Sequence, residues 1–362
     1  MSSIYFDNRV VLTLDAGGTN FVFNAMQGGK TLIEPIKKDA NGDNLELCLQ
    51  TMLDGFKEVK QQLGAEPVAI SFAFPGPADY PNGIIGDLGN LPAFRGGVAL
   101  GPMLEHHFNI PVFIQNDGDL YAYGEALGGL LPEINEQLEA QNNPKRYKNL
   151  IGLTLGTGFG AGLVHNDILI GGDNSIAAEV WNISNSVSPE RNAEEGVSTR
   201  AIINVYNELS GNTEALMPKD IFDIASGNKE GNKEAAITAF STFGKHIGDA
   251  VANLVNLFDG LVVIGGGLTG ASQFYMPAVM EVLKGQFGNG QDRLVQKVYC
   301  LDNADEKEAF LNTQTHQIEV PFTNQKVNYS PEQKVAVATS KLDASEAIAI
   351  GAYAYALSQL SN

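Results

Sequence analysis

Asp15 stands one residue before a glycine pair, in the run Val10-Val-Leu-Thr-Leu-Asp-Ala-Gly-Gly-Thr-Asn-Phe-Val-Phe23. A second run, Leu150-Ile-Gly-Leu-Thr-Leu-Gly-Thr-Gly-Phe-Gly-Ala-Gly-Leu-Val164, is written the same way: apolar residues, a glycine-threonine turn, apolar residues. Each predicts a β-hairpin with a turn almost free of side chains. Backbone N–H groups that no Cβ shields make a concavity suited to phosphate oxygens, and threonine adds a hydroxyl donor. Two such turns suggest two walls of one phosphate site, whereas Asp15-Ala-Gly-Gly-Thr19 taken alone reads first as only a hairpin turn. A carboxylate at a strand end beside a phosphate cradle can hold Mg²⁺ through water.

Asn116 and Asp117 follow the strand pattern Pro111 to Gln115 and open a helix pattern running toward Leu130. Either residue could cap that helix, because a short polar side chain satisfies its orphan N–H groups. A carboxylate at the carboxyl end of a strand is also placed to take a proton from a substrate hydroxyl. Two other nucleotide signatures fail on context. Gly156-Thr-Gly-Phe-Gly-Ala161 matches a dinucleotide fingerprint, but strand-like residues Leu163 to Ile170 follow where a helix is required. Gly29-Lys30-Thr31 resembles the end of a P-loop, yet the earlier glycine is replaced by Asn24, so it reads as a turn between strands.

The elements that must position these residues alternate. Helix patterns cover Leu45 to Leu63, Gly101 to Phe108, Thr199 to Leu209, Ala235 to Leu257 and Ala344 to Leu360; strands are expected at Pro67 to Phe74, Leu261 to Ile264 and Lys334 to Thr339. Pro132 to Lys148 reads as helix plus loop, and Asn303 to Ser330 as an insertion. A chain of 362 residues predicts roughly two domains at about 150 residues each. The boundary is expected near residue 127, giving domains 1–126 and 127–362, with the helix 344–360 able to return to the first.

Composition removes several functions. The net charge of -19 opposes nucleic-acid and anionic-membrane partners, which need basic patches. The longest apolar stretch, Ile247 to Ile264, is broken by Asp249, Asn253, Asn256 and Asp259, and the first residues lack the pattern of a secretory signal, so a cytoplasmic location is expected. Cys48 and Cys300 lie far apart in unrelated contexts and predict buried thiols. His106 and His107 are expected on a helix surface, and His165, His246 and His316 show no ligand spacing.

The order of motifs resembles the ROK family of sugar kinases over nearly the whole chain. The resemblance rests on Asp15-Ala-Gly-Gly-Thr19, Phe74-Pro-Gly-Pro77, Asn90-Leu-Pro92, Asn116-Asp117, Leu155-Gly-Thr-Gly-Phe-Gly160 and Ile264-Gly-Gly-Gly267. It implies an α/β protein with the two-domain actin-like, ribonuclease-H-like ATPase fold, each domain a mixed sheet flanked by helices, and a ligand cleft separating the domains. It further implies a homodimer and ATP-dependent phosphorylation of a hexose or N-acetylhexosamine at the 6-hydroxyl. Asp117 would be the general base. Asp15 would hold Mg²⁺ through water; Gly17, Gly18, Thr19, Asn20, Gly156, Thr157 and Gly158 would lie by the phosphates, and Gly265, Gly266 and Gly267 by the adenosine. Gly76, Asn90, Asn116, Glu179, Asn182 and Glu194 would meet the sugar.

The sugar half departs from the family pattern of Glu-x-Gly-His followed by a cysteine-rich zinc loop. Here the run is Glu179-Val-Trp-Asn182, then Ile183 to Asn192 without cysteine, then Glu194-Glu-Gly-Val-Ser198. No zinc is expected, and Glu194 or Glu195 is equally readable as a surface acid. Two other functions stay open: a ROK-like sugar sensor without catalysis, and an actin-like ATPase with a different acceptor. The sensor reading is disfavoured, since ROK repressors carry an N-terminal helix-turn-helix and the first phosphate strand here begins by Val10.

Overall fold

The computed structural model describes residues 3–89, 91–312 and 315–360. In chain order the elements are β1 (Val11–Ala16), β2 (Asn20–Gln27), β3 (Lys30–Thr31), β4 (Ile36–Asp39), α1 (Leu45–Gln62), β5 (Ala69–Ala73), β6 (Ala78–Asp79), β7 (Ile84–Ile85), β8 (Val98–Ala99), α2 (Leu100–Phe108), β9 (Val112–Gln115) and α3 (Asp117–Gly128). There follow α4 (Leu130–Ala140), β10 (Asn149–Leu155), β11 (Phe159–His165), β12 (Ile168–Leu169), α5 (Thr199–Ser210), α6 (Pro218–Ser226), α7 (Lys233–Phe258), β13 (Leu261–Gly265) and α8 (Ser272–Leu283). The last are β14 (Lys297–Cys300), α9 (Ala304–Leu311), β15 (His316–Glu319), β16 (Lys326–Tyr329), β17 (Lys334–Thr339) and α10 (Ala344–Leu360).

Contacts group these elements into two units. One comprises Met1–Pro132, Ala161–Ala178 and Lys341–Asn362, the other Glu133–Gly160 and Glu179–Ser340. The sequence expectation used a single cut near residue 127; the contact grouping cuts after residues 132, 160, 178 and 340. No helix among the described residues is long and apolar enough to cross a membrane.

The first unit is built on a sheet in the order β3-β2-β1-β5-β9, with β4 also on β2. β1, β5 and β9 are parallel, whereas β2 runs antiparallel to β1 with Asp15 opposite Val22 and Ala16 opposite Phe21. The Asp15–Asn20 hairpin is therefore formed as its alternating pattern predicts. The amphipathic α1 starts at the Asn44 cap, whose side chain accepts from Leu47 N, and buries Cys48, Met52, Phe56 and Val59 at helical spacing. Phe56 stands edge-on to Phe23 at 5.2 Å, and Phe72 meets Phe74 at 6.2 Å, so aromatic rings fill that face of the sheet.

The opposite face takes α3 and α10. These helices are glycine-rich where they cross: a Cβ on Gly124 would run into the Ala347 carbonyl, and one on Gly351 into the Leu120 carbonyl. Only hydrogen at both positions lets the backbones come this close. Gly28 N–H donates to the Tyr353 hydroxyl at 2.9 Å, tying α10 to the end of β2.

In the second unit β10, β13, β17 and β14 form a parallel sheet in that order. Residues such as Leu261 to Ile264 are buried throughout, as expected of a strand covered on both faces. α7 packs on α8 through Gly244 and Gly248, where a Cβ would meet Ala278 Cβ at 3.0 Å and Val282 Cβ at 2.7 Å. The region Asn303 to Ser330 contains α9 and the exposed hairpin β15-β16. The sequence reading passed over α6 and α8. The first follows a Met-Pro start, and the second contains Pro277, which a helix pattern excludes unless packing compensates.

Candidate active site

In the first unit the motifs collect along one edge of the sheet. β1 ends at Asp15 and the Gly17-Gly18 turn, β5 leads into Phe74-Pro-Gly76, and β9 leads into Asn116-Asp117. The three strands are parallel neighbours, so their carboxyl ends lie side by side, the place where α/β sheets bind ligands. Phe74 N–H donates to the Gln115 carbonyl at 2.9 Å, which holds the last two loops together.

Asp15 is exposed at its strand end. A Cβ on Gly17 would lie 2.9 Å from the Asn20 carbonyl oxygen, so the turn itself requires glycine there. Gly18 differs, because a Cβ there would meet nothing within 4 Å. That open backbone suits a ligand more than a packed turn does. Thr19 accepts from Ala40 N–H at 2.9 Å through its carbonyl, which braces the turn against the end of β4.

Asn116 caps α3: its Oδ1 accepts from Gly118 N–H at 2.8 Å, and Asp117 Oδ1 accepts from the same N–H at 2.9 Å. Capping is thus real, and Asp117 shares it while remaining exposed. The residue as a whole is exposed, yet the protein packed around its carboxyl displaces enough water to hold its pKa above the usual carboxylate value, with the Gly118 N–H pulling the other way. A base with a raised pKa is a better proton acceptor near neutral pH. Gly76 is exposed before Pro77, with the Tyr80 hydroxyl beside it donating to the Phe74 carbonyl at 2.9 Å. Asn90 lies outside the described residues.

In the second unit two glycine motifs sit on adjacent parallel strands. β10 ends at Leu155 before Gly156-Thr157-Gly158, and β13 ends at Gly265 before Gly266-Gly267, with Thr154 opposite Gly265. Gly266 has φ +92°, and a Cβ there would lie 2.6 Å from Leu155 N. Leu268 N–H donates to the Leu155 carbonyl at 3.2 Å. Within the first turn Gly156 N–H donates to Gly158 O at 3.1 Å, and Thr199 N–H donates to Gly156 O at 2.9 Å. Above Gly156 and Gly267 a Cβ would meet nothing within 4 Å. β11 follows the turn, so the dinucleotide fingerprint is excluded by the strand its context lacks a helix for.

The two glutamates that the sequence singles out in this unit, Glu179 and Glu194, are engaged. Glu194 Oε2 accepts from Phe159 N–H at 3.1 Å, and Arg200 lies 3.5 Å from Oε1. Glu179 accepts from the Trp181 indole N–H, and Asn182 is exposed in the 3₁₀ turn Val180–Asn182. Glu194 is therefore more than a surface acid: its carboxylate rests on the backbone of the glycine turn. Among the described residues no three His, Cys, Asp or Glu side chains converge on a metal-sized site. Sequence reading missed the pairing of His246 with Asn185, whose side-chain oxygen lies 3.1 Å from His246 Nδ1; nothing in their local spacing announces it.

The sequence profile of the ROK family matches residues 11–305. The chain belongs to the ROK family. A crystal structure of a glucokinase from Parabacteroides distasonis is 52% identical with a TM-score of 0.92, covering 98% of this chain and 99% of that one. The glucokinase of Thermotoga maritima is 24% identical over 293 residues, 75% of this chain and 86% of the relative. The N-acetyl-D-glucosamine kinase of Vibrio parahaemolyticus is 26% identical over 276 residues, 72% and 85% respectively. This ROK protein thus has the two-domain actin-like fold of the family's sugar kinases and stands with its ATP-dependent sugar kinases.

Proposed function

We propose that this ROK protein transfers the γ-phosphoryl group of ATP to the 6-hydroxyl of a hexose or N-acetylhexosamine, with Asp117 as general base. The observation that carries the reading is the placement of the Asp15 hairpin and Asp117 on the carboxyl edge of one sheet, β1 and β9 being separated only by β5. Glucose is the first acceptor to test, given the 52% identity to a glucokinase.

Phosphoryl transfer needs alignment and charge neutralisation more than covalent chemistry. Asp117 accepts the hydroxyl proton as the sugar oxygen bonds to the γ-phosphorus and the bond to the bridging oxygen of ADP breaks. Asn116 and Gly76 border the acceptor, and Glu179, Asn182 and Glu194 accept from or donate to its hydroxyls. The backbones of Gly17, Gly18, Thr19 and Asn20, and those of Gly156, Thr157 and Gly158, receive phosphate oxygens, with Gly265, Gly266 and Gly267 toward the adenosine. The open space over Gly18, Gly156 and Gly267 fits this use. Mg²⁺, held through water by Asp15, would neutralise phosphate charge. The homodimer implied by the family is part of the same reading.

The test is ADP release from Mg-ATP over a panel of hexoses and N-acetylhexosamines. Sugar-dependent turnover by the wild type, absent in Asp117→Asn, supports the reading. Sugar binding by calorimetry without turnover overturns it in favour of a sensor.

A further inference from the structure

We propose that His246 is a positioning residue for Glu194, holding the loop 183–196 so that this carboxylate stays on the glycine turn that precedes Phe159. The proposal deepens the kinase reading and rests on it for its functional consequence, though its structural half stands alone.

The loop that lacks cysteine is closed by polar contacts. Ala193 N–H donates to the Ile183 carbonyl at 3.0 Å, and Ser184 bridges to Asn192. Asn185, only 4% exposed, organises the interior: its Nδ2 donates to the Asn192 carbonyl at 3.2 Å, and its Oδ1 accepts from Val187 N–H at 3.1 Å and Ser188 N–H at 2.9 Å. These bonds fix which end of the amide is oxygen. His246 Nδ1 lies 3.1 Å from that oxygen, so Nδ1 carries the proton and donates.

The same imidazole reaches the other end of the loop. A Cβ on Gly196 would lie 2.8 Å from His246 Cδ2 and closer still to Nδ1, so the ring lies against the bare Gly196 backbone, two residues after Glu194. His246 therefore touches both limbs of the loop from one position on α7. One helical step along, Asp249 accepts from Ser186 N–H at 3.3 Å and from Arg293 at 2.6 Å. The product of this bracing is Glu194 with Oε2 on Phe159 N–H and Oε1 3.5 Å from Arg200. Where the family pattern places a metal loop, this chain places a histidine and an asparagine amide.

His246→Ala removes the donor, and His246→Asn returns an amide nitrogen near the position of Nδ1. Amide hydrogen exchange at Phe159 reads the geometry without requiring activity. Phe159 is expected to lose protection in His246→Ala and to regain it in His246→Asn. Kinetics with the active wild type should show KM for the sugar raised about tenfold in His246→Ala, the effect of one hydrogen bond, with His246→Asn intermediate. Unchanged Phe159 exchange in a folded His246→Ala variant overturns the proposal. So does a proportional loss in every kinetic parameter that His246→Asn does not rescue. Wild-type protein inactive on every sugar sinks the kinase reading alone, and Phe159 exchange then still decides whether His246 positions Glu194.

Discussion

Gly118 and Gly162 meet face to face. A Cβ on Gly118 would lie 2.8 Å from the Ala161 carbonyl oxygen, and one on Gly162 would lie 2.7 Å from both the Gly118 carbonyl oxygen and Ala122 Cβ. The first turn of α3 therefore rests directly on β11, and Asp117, one residue before Gly118, takes its position from that contact.

Gly162→Ala should force the two backbones apart, destabilising by about 1–3 kcal/mol as overpacking does. Because the displaced turn carries Asp117, kcat should fall by more than the loss of folded protein explains. Gly171→Ala, where a Cβ would meet nothing within 4 Å, is the control. Thermal melts and turnover measured together decide it, and equal behaviour of the two variants would contradict the packing account.

Asp117→Asn should lower turnover by roughly two to four orders of magnitude while ATP binding persists. In the wild type the acid limb of kcat/KM should lie above the ordinary aspartate range, since surrounding protein raises this pKa. The folded state then binds the proton more tightly than the unfolded one, so stability declines as pH rises from the unfolded to the folded pKa. Asp117→Asn should accordingly melt above the wild type at pH 7, with the gap closing in acid. A melt that falls at pH 7 would leave capping as the dominant role.

Tyr353→Phe should destabilise the first unit by about 1–2 kcal/mol without touching the glycine turns. The hydroxyl accepts from Gly28 N–H at 2.9 Å and lies 3.2 Å from the carbonyls of Asp7 and Arg9, so its loss strips α10 of three partners. Chemical denaturation reads this directly, and an unchanged midpoint would refute it.

Arg293→Met should cost about 3–5 kcal/mol, because it leaves the buried Asp249 carboxylate without its cation. Burial alone would raise the Asp249 pKa, but hydrogen bonds from Arg293 and Ser186 override it and hold the pKa below the usual value. The stabilisation is then full above the unfolded pKa, near ~4, and lost as pH falls through the folded one. The gap separating wild type from variant should shrink in acid; a gap independent of pH would rule out the charge pair as its source.

Much of the frame was legible because it is local. The β1-β2 hairpin, α1 from Leu45, the Asn116 cap before α3, β17 and α10 each declare themselves within one stretch of chain, through alternation, helical spacing or a capping side chain. α8 did not, since Pro277 argues against a helix until packing is known. The resemblance to a ROK kinase was equally a matter of short motifs in order.

What the sequence by itself determined is the set of glycine turns, the two carboxylates Asp15 and Asp117 at strand ends, and the absence of cysteines from the loop after Asn182. Tertiary structure alone decided that Gly118 answers Gly162, that Gly124 answers Gly351, and that His246 reaches both Asn185 and Gly196. The physical reason is range. Turns and caps follow from the conformational preferences of adjacent residues, whereas close backbone approach and a buried donor for an amide oxygen depend on partners tens to hundreds of residues away, whose meeting only the packed core imposes.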